Sequence, residues 1–307
     1  MNILIVGLGS IGRKHVDALI ALGIKAKIYA LRSSLNVKKE EYVENIFGLE
    51  NLKVKFDFAI ISNPTNLHFK YIKILAERGV HLFIEKPVLH TLEKSDELVR
   101  IVEAKDIYTY VACNLRFHPC LIFIDNWLKL ESPRINEVNV YCGSYLPDWR
   151  PGVNFRDMYS ANHTMGGGVH LDLFHEIDYT VWLFGLPSKT NAIRRNVSTL
   201  NIDAIDYANY CLEYDGFSAN IVLNYYRKNP KRALEIVCSD RTIYVDMIAS
   251  TIIDDTDKVL LDLPEYKISQ TYYDQMSYFI RCLKNEVRPI NSLKYSFQVL
   301  NIVLQNE

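Results

Sequence analysis

The sequence predicts an α/β protein in which a doubly wound parallel sheet is followed by an α+β half with a large, mostly antiparallel open sheet. Up to about residue 119, short apolar strands alternate with helices of about 10 to 15 residues. From about Asn136, apolar and polar residues alternate with a period of two. The 307 residues are enough for two cores, so we predict two domains, over residues 1–119 and 120–307.

The composition excludes several classes of protein. Apolar residues make up 49% and charged residues 23% of the chain, as in ordinary globular domains. The 35 basic and 36 acidic residues nearly cancel, so neither nucleic acid nor a membrane surface is predicted as a partner. No apolar run approaches the roughly 18 residues of a membrane span. The six cysteines include no CxxC pair and lie in apolar contexts, which predicts free thiols and a cytoplasmic location.

A glycine-rich turn follows the first predicted strand, Ile3 to Val6, and opens a helix. Its spacing fits G-x-G-x-x-G. Gly7 allows the tight turn, Gly9 lets a pyrophosphate approach the backbone, and Gly12 lets the helix pack on the strand. The helix N-terminus then faces the phosphates, which is typical of a Rossmann domain. The predicted cofactor residues in this turn are Gly7, Gly9, Ser10, Ile11 and Gly12.

The residues after the second predicted strand, Lys25 to Leu31, indicate which dinucleotide is favoured. NAD-binding chains usually place Asp or Glu about 20 residues after the glycines, where it holds the ribose 2′-hydroxyl. Arg32 and Ser33 occupy this place instead. Because an arginine attracts a 2′-phosphate, NADP is favoured over NAD as the cofactor. The alternative, in which Arg32 is only a solvated surface residue, stays open.

The segment HLFIEKP is typical of a buried strand, His81 to Ile84, that ends at Glu85-Lys86-Pro87. Proline lacks the N–H and fixes φ, so the strand cannot continue. In open α/β sheets, ligands bind beyond the carboxyl ends of the strands, so Lys86 is predicted to lie where cofactor and substrate meet. The alternative is an ordinary surface lysine. The preceding strand, Asp57 to Ser62, ends likewise at Asn63-Pro64-Thr65.

Five strands are predicted in the second half of the chain, and the pair Asp215-Gly216 predicts a tight hairpin between two of them. A sheet of this kind leaves one face open unless another element covers it. The predicted strands are Glu137–Tyr145, Asp206–Tyr214, Phe217–Tyr226, Ala233–Ser239 and Thr242–Met247.

A long irregular loop, Leu146 to Thr164, follows the first of these strands. Loops longer than about 15 residues are usually functional or disordered. Its aromatic rings and guanidinium groups suit a sugar ring that carries a phosphate or carboxylate. The alternative is a subunit-contact loop of the same composition. The predicted substrate-binding residues are Tyr145, Trp149, Arg150, Arg156 and Tyr159, with Asn114 and Arg116 from the end of an earlier strand.

A glycine triplet opens a predicted helix over residues 168–184. On an unbroken helix, Asp172 and His175 share one face. Histidine titrates near neutral pH and a carboxylate can fix its tautomer, so the pair is suited to proton transfer. Asp178, one turn later, could orient His175 instead. No metal is predicted, because His170 and His175 are five residues apart and HEIDY is not HExxH.

Several of these stretches resemble the Gfo/Idh/MocA family, the NAD(P)-dependent oxidoreductases that include glucose–fructose oxidoreductase and inositol dehydrogenase. The matching stretches are GLGSIGRKH, AIISNPTNLH, HLFIEKP, NLRFHP and GGGVHLDLFHEID, in the order of the family. EKP after a Rossmann half is the specific element, and the resemblance implies that Lys86 is catalytic. The predicted cofactor residues from these stretches are Asn63, Pro64, Thr65, His68, Glu85 and Lys86.

The resemblance also carries expectations for assembly and for the catalytic pair. The family uses the open sheet face for subunit contacts, which implies a homo-oligomer, either a dimer or a tetramer. A helix at about residues 293–304 is expected to return to the first domain. One departure is the spacing of Asp172 and His175, which are three residues apart. The commoner family spacing is four, although a branch of the family has three.

The sequence therefore predicts an NAD(P)-dependent dehydrogenase or reductase. It would transfer hydride between the nicotinamide and a hydroxyl or keto carbon of a sugar or sugar-nucleotide-like substrate. His175 would exchange the hydroxyl proton beside Asp172, and Lys86 would stabilise charge on the same oxygen. Two alternatives stay open: a glycosidase of the same fold that uses NAD for transient oxidation, and a non-catalytic cofactor-sensing regulator. The presence of both Lys86 and His175 counts against the regulator.

Overall fold

The computed structural model describes residues 1–37, 40–50 and 53–305, and the chain forms two compact units. Unit 1 comprises Met1–Asn114 and Ser269–Leu300, and unit 2 comprises Leu115–Ile268 and the residues from Asn301 onward. The elements that begin in unit 1 are β1 (Asn2–Val6), α1 (Ser10–Ala21), β2 (Lys27–Leu31), β3 (Val43–Ile46), β4 (Phe58–Ile61), α2 (His68–Glu77), β5 (His81–Glu85), α3 (Ser95–Ala104), β6 (Thr109–Ala112), α7 (Gln270–Lys284) and α8 (Leu293–Leu304). Those of unit 2 are α4 (Pro119–Glu131), β7 (Ile135–Tyr145), α5 (Val169–Asp172), α6 (Phe174–Phe184), β8 (Lys189–Arg195), β9 (Tyr207–Tyr214), β10 (Phe217–Asn224), β11 (Tyr226–Cys238), β12 (Thr242–Asp246), β13 (Thr251–Asp254) and β14 (Val259–Asp262).

Among the described residues, unit 1 is built on a parallel sheet of six strands in the order β3-β2-β1-β4-β5-β6. The strand order changes direction between β1 and β4, which confirms the predicted doubly wound sheet. The central strands β1 and β4 are nearly continuous apolar runs, because both faces of a parallel sheet are covered: every residue of β4 is buried, as are Ile3, Leu4 and Ile5. Strand β3, with the sequence VENI, was not predicted, because only its first and last residues are buried.

Helix α7 comes from the distal part of the chain and packs against α1 within unit 1. Phe279 on α7 lies edge-on to Phe58 and Phe83, with ring centroids 5.3 and 5.5 Å apart. Edge-to-face pairs of this kind stabilise beyond the area that they bury. The core of unit 1 is therefore assembled from two separate stretches of the sequence.

Within the described ranges, unit 2 has a sheet of eight strands in the order β14-β13-β12-β11-β7-β10-β9-β8. The pairs are antiparallel except for β7 with β10, which confirms the large, mostly antiparallel sheet. On one face Val138, Val140 and Leu234 are buried. On the other, Asn139 and Tyr141 are partly exposed. This alternation follows from the period of two in the sequence.

The predicted hairpin is confirmed: Tyr214 pairs with Phe217 across the turn, and Gly216 has a φ of 91°. Strands β8, β13 and β14 were not predicted, and they lie toward the two edges of the sheet. Strand β8, with the sequence KTNAIRR, has Thr190 as its one buried residue. Such strands are placed by pairing with a neighbour rather than by an apolar pattern of their own.

In the part of the chain that the structure describes, no helix combines the length and hydropathy that crossing a bilayer requires. The six cysteines are free thiols, of which five are buried and Cys211 is partly exposed. Burial raises the pKa of the Cys120 and Cys142 thiols to about 12, so both stay protonated and unreactive.

Candidate functional site

The glycine turn between β1 and α1 is closed tightly against the loop that follows β4. Gly7 has a φ of 91°, and a Cβ there would lie 2.5 Å from the backbone nitrogen of Asn63. A Cβ on Gly12 would lie 2.5 Å from the carbonyl oxygen of Gly7. At Gly9, by contrast, a Cβ would meet no described atom within 4 Å. The turn therefore excludes side chains where backbones meet and stays open where Gly9 begins α1, at the positive end of the helix.

This turn borders a cleft of about 680 Å³ in unit 1, which Gly7, Arg32, Ser33, Asn63 and Pro64 help to line. The cleft thus brings together predicted cofactor residues from three loops. The amide of Asn63 is buried, and neither its oxygen nor its nitrogen has a hydrogen-bond partner in the described part of the chain. Because buried polar groups are normally paired, this amide marks a place for a ligand that forms hydrogen bonds. The residues present fit a dinucleotide.

Arg32 is held at the cleft by an acidic residue that the sequence analysis missed. Its side chain is 14% exposed, and its Nη1 atom lies 3.8 Å from Oε1 of Glu40. The same Oε1 accepts a hydrogen bond from Nη2 of Arg13 at 2.7 Å. Arg32 is therefore partly buried rather than fully solvated, and its contact with the cofactor stays a prediction. Glu40 had no signal in the sequence, because it lies eight residues beyond Arg32 and outside every motif.

Thr65 and His68 lie beside the cleft as buried residues of the loop after β4. Nδ1 of His68 is 3.0 Å from the carbonyl oxygen of Val88, and Nε2 is 2.9 Å from that of Asn63. Burial lowers the pKa of His68, so the ring is neutral at pH 7 and donates from one nitrogen. His68 therefore fixes the loop of Asn63 against the segment after Pro87.

Glu85 and Lys86 end strand β5, and a second missed residue, His15, holds Glu85 in place. Oε1 of Glu85 lies 2.6 Å from Nε2 of His15, which is fully buried on α1. Oε2 of Glu85 accepts a hydrogen bond from the backbone nitrogen of Lys86 at 3.2 Å. The ring of His15 packs edge-on to Phe83, 4.9 Å away. A polar residue on the buried face of α1, beside Gly12, was the available signal for this contact.

In unit 2, the predicted helix over residues 168–184 is broken, so that prediction is wrong at Leu173. Helix α5 ends at Asp172, Leu173 has φ −95° and ψ 35°, and α6 begins at Phe174. The positive ψ takes Leu173 out of the helical region, so Asp172 and His175 do not share a face of one continuous helix. Both residues are nevertheless buried, with 5% and 8% of their surface exposed.

The carboxylate of Asp172 receives two tyrosine hydroxyls. Tyr159 donates to Oδ1, and Tyr225, which was missed from the sequence, donates to Oδ2 at 2.5 Å. Burial, together with the charge of Asp172, raises the pKa of both tyrosines, so they remain protonated donors. Asp172 thereby fixes Tyr159 of the long loop against Tyr225, which follows β10, in addition to any contact with a substrate.

Arg116 and Asp178 form a bidentate ion pair inside unit 2. Nε and Nη2 of Arg116 donate to Oδ2 and Oδ1 of Asp178 at 2.8 and 2.6 Å. The two side chains are 3% and 1% exposed. The fork of the arginine and both oxygens of the carboxylate are thus engaged with each other. This geometry argues against Arg116 as a handle for a substrate anion and against Asp178 as the residue that orients His175.

The remaining predicted substrate residues make separate contacts, each within its own unit. In unit 2, the indole Nε1 of Trp149 donates to Ser144 Oγ at 2.8 Å, and its ring lies edge-on to Tyr225. Arg150 and Arg156 are exposed. Arg156 donates to the carbonyl oxygen of Leu200. Lys228 Nζ lies 5.5 Å from the ring centre of Tyr145. In unit 1, Asn114 donates to Thr271 at 2.6 Å.

Unit 2 contains a cavity of about 490 Å³, which Trp149, Leu173, His118, Tyr266 and Arg232 help to line. Its walls are mostly aromatic and aliphatic, with Lys231 and Arg232 as the cationic side chains. His118 is neutral at pH 7, because burial and the nearby charge of Arg232 lower its pKa to about 4. Its Nδ1 accepts a hydrogen bond from the backbone nitrogen of Cys120, which caps α4.

Arg232 in the wall of this cavity is balanced by Glu176, a fully buried residue of α6. Nε of Arg232 lies 2.8 Å from Oε1 of Glu176. Burial alone would lower the pKa of Arg232, but the charge of Glu176 outweighs it and the pKa is raised. Neither residue was predicted, although Arg232 lies on the buried face of β11 with Leu234 and Ile236, where a charged residue is unusual.

A metal centre has no support in the described ranges, where no three His, Cys, Asp or Glu side chains are grouped to hold an ion. The parallel sheet, the glycine turn and the cleft instead define an oxidoreductase fold with a dinucleotide site. Residues 1–112 match the family model described as "Oxidoreductase family, NAD-binding Rossmann fold", and residues 130–244 match the "GFO/IDH/MocA C-terminal domain". The chain belongs to the Gfo/Idh/MocA family of NAD(P)-dependent oxidoreductases, as its motifs predicted.

Three known proteins show how far the similarity extends. The scyllo-inositol 2-dehydrogenase (NADP(+)) of Bacillus subtilis (strain 168) is 27% identical over 237 residues, 68% of this chain and 63% of that protein, so the match spans less than two thirds of its length. The scyllo-inositol 2-dehydrogenase (NAD(+)) of the same strain is 23% identical over 309 residues, 93% of this chain and 87% of that protein. The solved structure of a levoglucosan dehydrogenase in complex with NADH has the same fold, with a TM-score of 0.85 and 18% identity over 99% of this chain and 95% of that one.

Proposed function

We propose that the protein is an NAD(P)-dependent dehydrogenase or reductase that acts on a CH–OH or keto group of a sugar-like ring. The observation that carries the proposal is the cleft of unit 1. Its lining includes Gly7 of the closed glycine turn, Asn63 with its buried and unpaired amide, and Arg32. The similar proteins named above as dehydrogenases support the same reaction class.

Within this proposal, the residues of the site have separate roles in binding the cofactor and in moving the proton. Gly7, Gly9 and Gly12 admit the pyrophosphate, and Asn63 supplies hydrogen bonds inside the cleft. The bound nicotinamide would supply or accept hydride. Lys86 would stabilise negative charge on the reacting oxygen, and His175 would take or return its proton. His15 positions Lys86 indirectly, because it fixes Glu85, which in turn accepts the Lys86 backbone N–H.

The cavity of unit 2 is the place proposed for the substrate ring. Trp149 and Tyr266 offer aromatic faces of the kind that sugar rings pack against, and Trp149 is the predicted substrate residue that lines it. Because Glu176 balances Arg232, the cavity carries no uncompensated positive charge from this pair. Uncharged polyols and pyranoses suit this balanced pair, and the ammonium group of Lys231 in the same wall keeps sugar acids and sugar nucleotides as candidates.

A substrate panel tests the proposed reaction. The purified protein would be incubated with NAD or NADP and with polyols, pyranoses, sugar acids and sugar nucleotides, and formation of the reduced cofactor would be followed by its absorbance. We expect turnover with at least one uncharged ring compound. Release of a glycoside leaving group without net reduction of the cofactor would instead establish the glycosidase reaction. Cofactor binding without turnover of any compound in the panel would contradict an enzymatic role.

We also propose that NADP is favoured over NAD, since Arg32 and Ser33 line the cleft where an acidic ribose ligand usually lies. Arg32→Ala should weaken NADPH by roughly 1–3 kcal/mol, the scale of a charge-assisted hydrogen bond, and should leave NADH almost unaffected. Fluorescence titration of both cofactors measures this, with Arg100→Ala on the exposed surface of α3 as the control. Equal affinity of the unmodified protein for NADH and NADPH would contradict the preference.

The open face of the unit 2 sheet is proposed to contact a second copy of the chain. Its middle strands present partly exposed residues, among them Asn139, Tyr141 and Val222. Sedimentation at micromolar concentration should therefore show little material at the 35.6 kDa of a single chain. Val222→Lys, which adds a charge to the middle of this face, should shift the population toward the monomer. A protein that sediments as a monomer before any substitution would rule out this assembly.

A further inference from the structure

We propose that Glu40 limits the preference for NADP, because its carboxylate lies against Arg13 and Arg32, whose positive charges a 2′-phosphate would need. It therefore competes with the 2′-phosphate of NADP for the positive charge of these arginines. The inference rests on the proposed function, since it assigns residues within the same cofactor cleft. It assigns a role at the cofactor site to Arg13 and Glu40. Arg13 lies in the stretch GLGSIGRKH but was not predicted to contact the cofactor, and Glu40 lies in none of the quoted stretches.

One carboxylate oxygen of Glu40 faces both Arg13 and Arg32. Its Oε1 atom accepts a hydrogen bond from Arg13 Nη2 at 2.7 Å and lies 3.8 Å from Arg32 Nη1. The side chain of Glu40 is 25% exposed and that of Arg13 is 49% exposed, so the hydrogen-bonded pair of Glu40 and Arg13 faces the solvent. The weak contact is with Arg32, whose side chain is only 14% exposed. Glu40 thus bridges two arginines that come from α1 and from the end of β2.

The guanidinium group of Arg32 has a donor that is available to a ligand. Its Nη1 atom is buried and has no hydrogen-bond partner among the residues that the structure describes. Arg32 nevertheless lines the cleft next to Ser33, together with the unpaired amide of Asn63. An arginine fork with an unused donor in a ligand cleft can accept a further oxyanion. The negative charge of Glu40 offsets part of the positive charge on Arg32 that would bind such an oxyanion.

The charges then decide between the two cofactors. A phosphate monoester carries about −1.5 to −2 charges near pH 7, so it is repelled by a carboxylate that shares its arginines. A ribose 2′-hydroxyl has no charge, so the same carboxylate does not repel it. Glu40 therefore weakens the binding of NADP more than the binding of NAD.

The test uses nucleotide fragments, so its result does not depend on catalysis. Adenosine 2′,5′-bisphosphate and adenosine 5′-monophosphate would be titrated calorimetrically into the full-length wild-type protein, Glu40→Gln and Glu44→Gln. Glu44 is the matched control, because it loses the same charge from an exposed pair with Lys27. We expect Glu40→Gln to bind the bisphosphate about tenfold more tightly, the scale of one partly exposed charge pair. The monophosphate should bind no more tightly, and Glu44→Gln should match the wild type.

A second variant locates the effect. In Arg32→Ala/Glu40→Gln, the gain in bisphosphate affinity should disappear. Glu40→Gln frees the Arg32 guanidinium for the 2′-phosphate, and Arg32→Ala removes that guanidinium. If Glu40→Gln and Glu44→Gln bind the bisphosphate equally, Glu40 does not compete with the 2′-phosphate and the inference fails. The proposed function survives that result as long as the wild type binds either nucleotide. Binding of neither nucleotide by the wild type would remove the dinucleotide site and, with it, both proposals.

Discussion

Replacing Lys86 with alanine or His175 with asparagine should lower kcat by about 10²–10⁴-fold, the usual scale for a positioned acid–base group. Neither residue belongs to the glycine turn, so the dissociation constant of the cofactor should change little. Lys86 lies where β5 ends, and His175 is a buried residue in the first turn of α6. Steady-state kinetics with the best substrate of the panel and fluorescence titration of the cofactor measure the two quantities.

Matched controls separate catalysis from nonspecific damage. Lys105→Ala and His163→Asn remove the same side chains from exposed positions and should leave kcat unchanged. The double variant Lys86→Ala/His175→Asn should lose less than the sum of the two single losses, because residues that act as one unit are not additive. Near-normal turnover by His175→Asn would show that the histidine has a packing role only.

The parts of the fold that the sequence predicted are those whose pattern is local. Strand β4 is a run of buried apolar residues, and β7 alternates between a buried and a partly exposed face. Strand β3 and strand β8 have no such pattern, since VENI and KTNAIRR are mostly polar. Their positions depend on the neighbouring strands that pair with them. The break at Leu173 lies within a sequence that has helical periodicity, so it reflects tertiary context rather than local propensity.

The same distinction explains which residues of the candidate site were found. The glycine turn is one contiguous motif, so its strand, turn and helix could be recognised together. The contacts of His15 with Glu85 and of Tyr225 with Asp172 join residues that are far apart in the sequence. Glu40 lies only eight residues after Arg32, but it belongs to none of the recognised motifs. No spacing rule predicts such pairs from a single chain. They fix the orientation of predicted residues, and they can be identified only once the segments are placed in space.

Arg116→Met should destabilise unit 2 by about 3–5 kcal/mol, because it leaves the carboxylate of Asp178 buried without its partner. The double variant Arg116→Met/Asp178→Leu should regain most of that stability, since a buried ion pair can often be replaced by apolar residues of similar size. Urea unfolding followed by tryptophan fluorescence measures the change, because Trp127, Trp149 and Trp182 all belong to unit 2.

An exposed ion pair of the same unit provides the control for this cycle. Lys129 and Asp125 form a contact one turn apart on α4, and the lysine side chain is 68% exposed. Lys129→Met should cost no more than about 1 kcal/mol, as exposed pairs do. If Arg116 were instead a handle for a substrate anion, Arg116→Met would unfold at the same urea concentration as the wild type and would raise KM. That outcome would return Arg116 to the substrate site, whereas a large loss of stability that Asp178→Leu reverses would establish the pair as a structural support of α6.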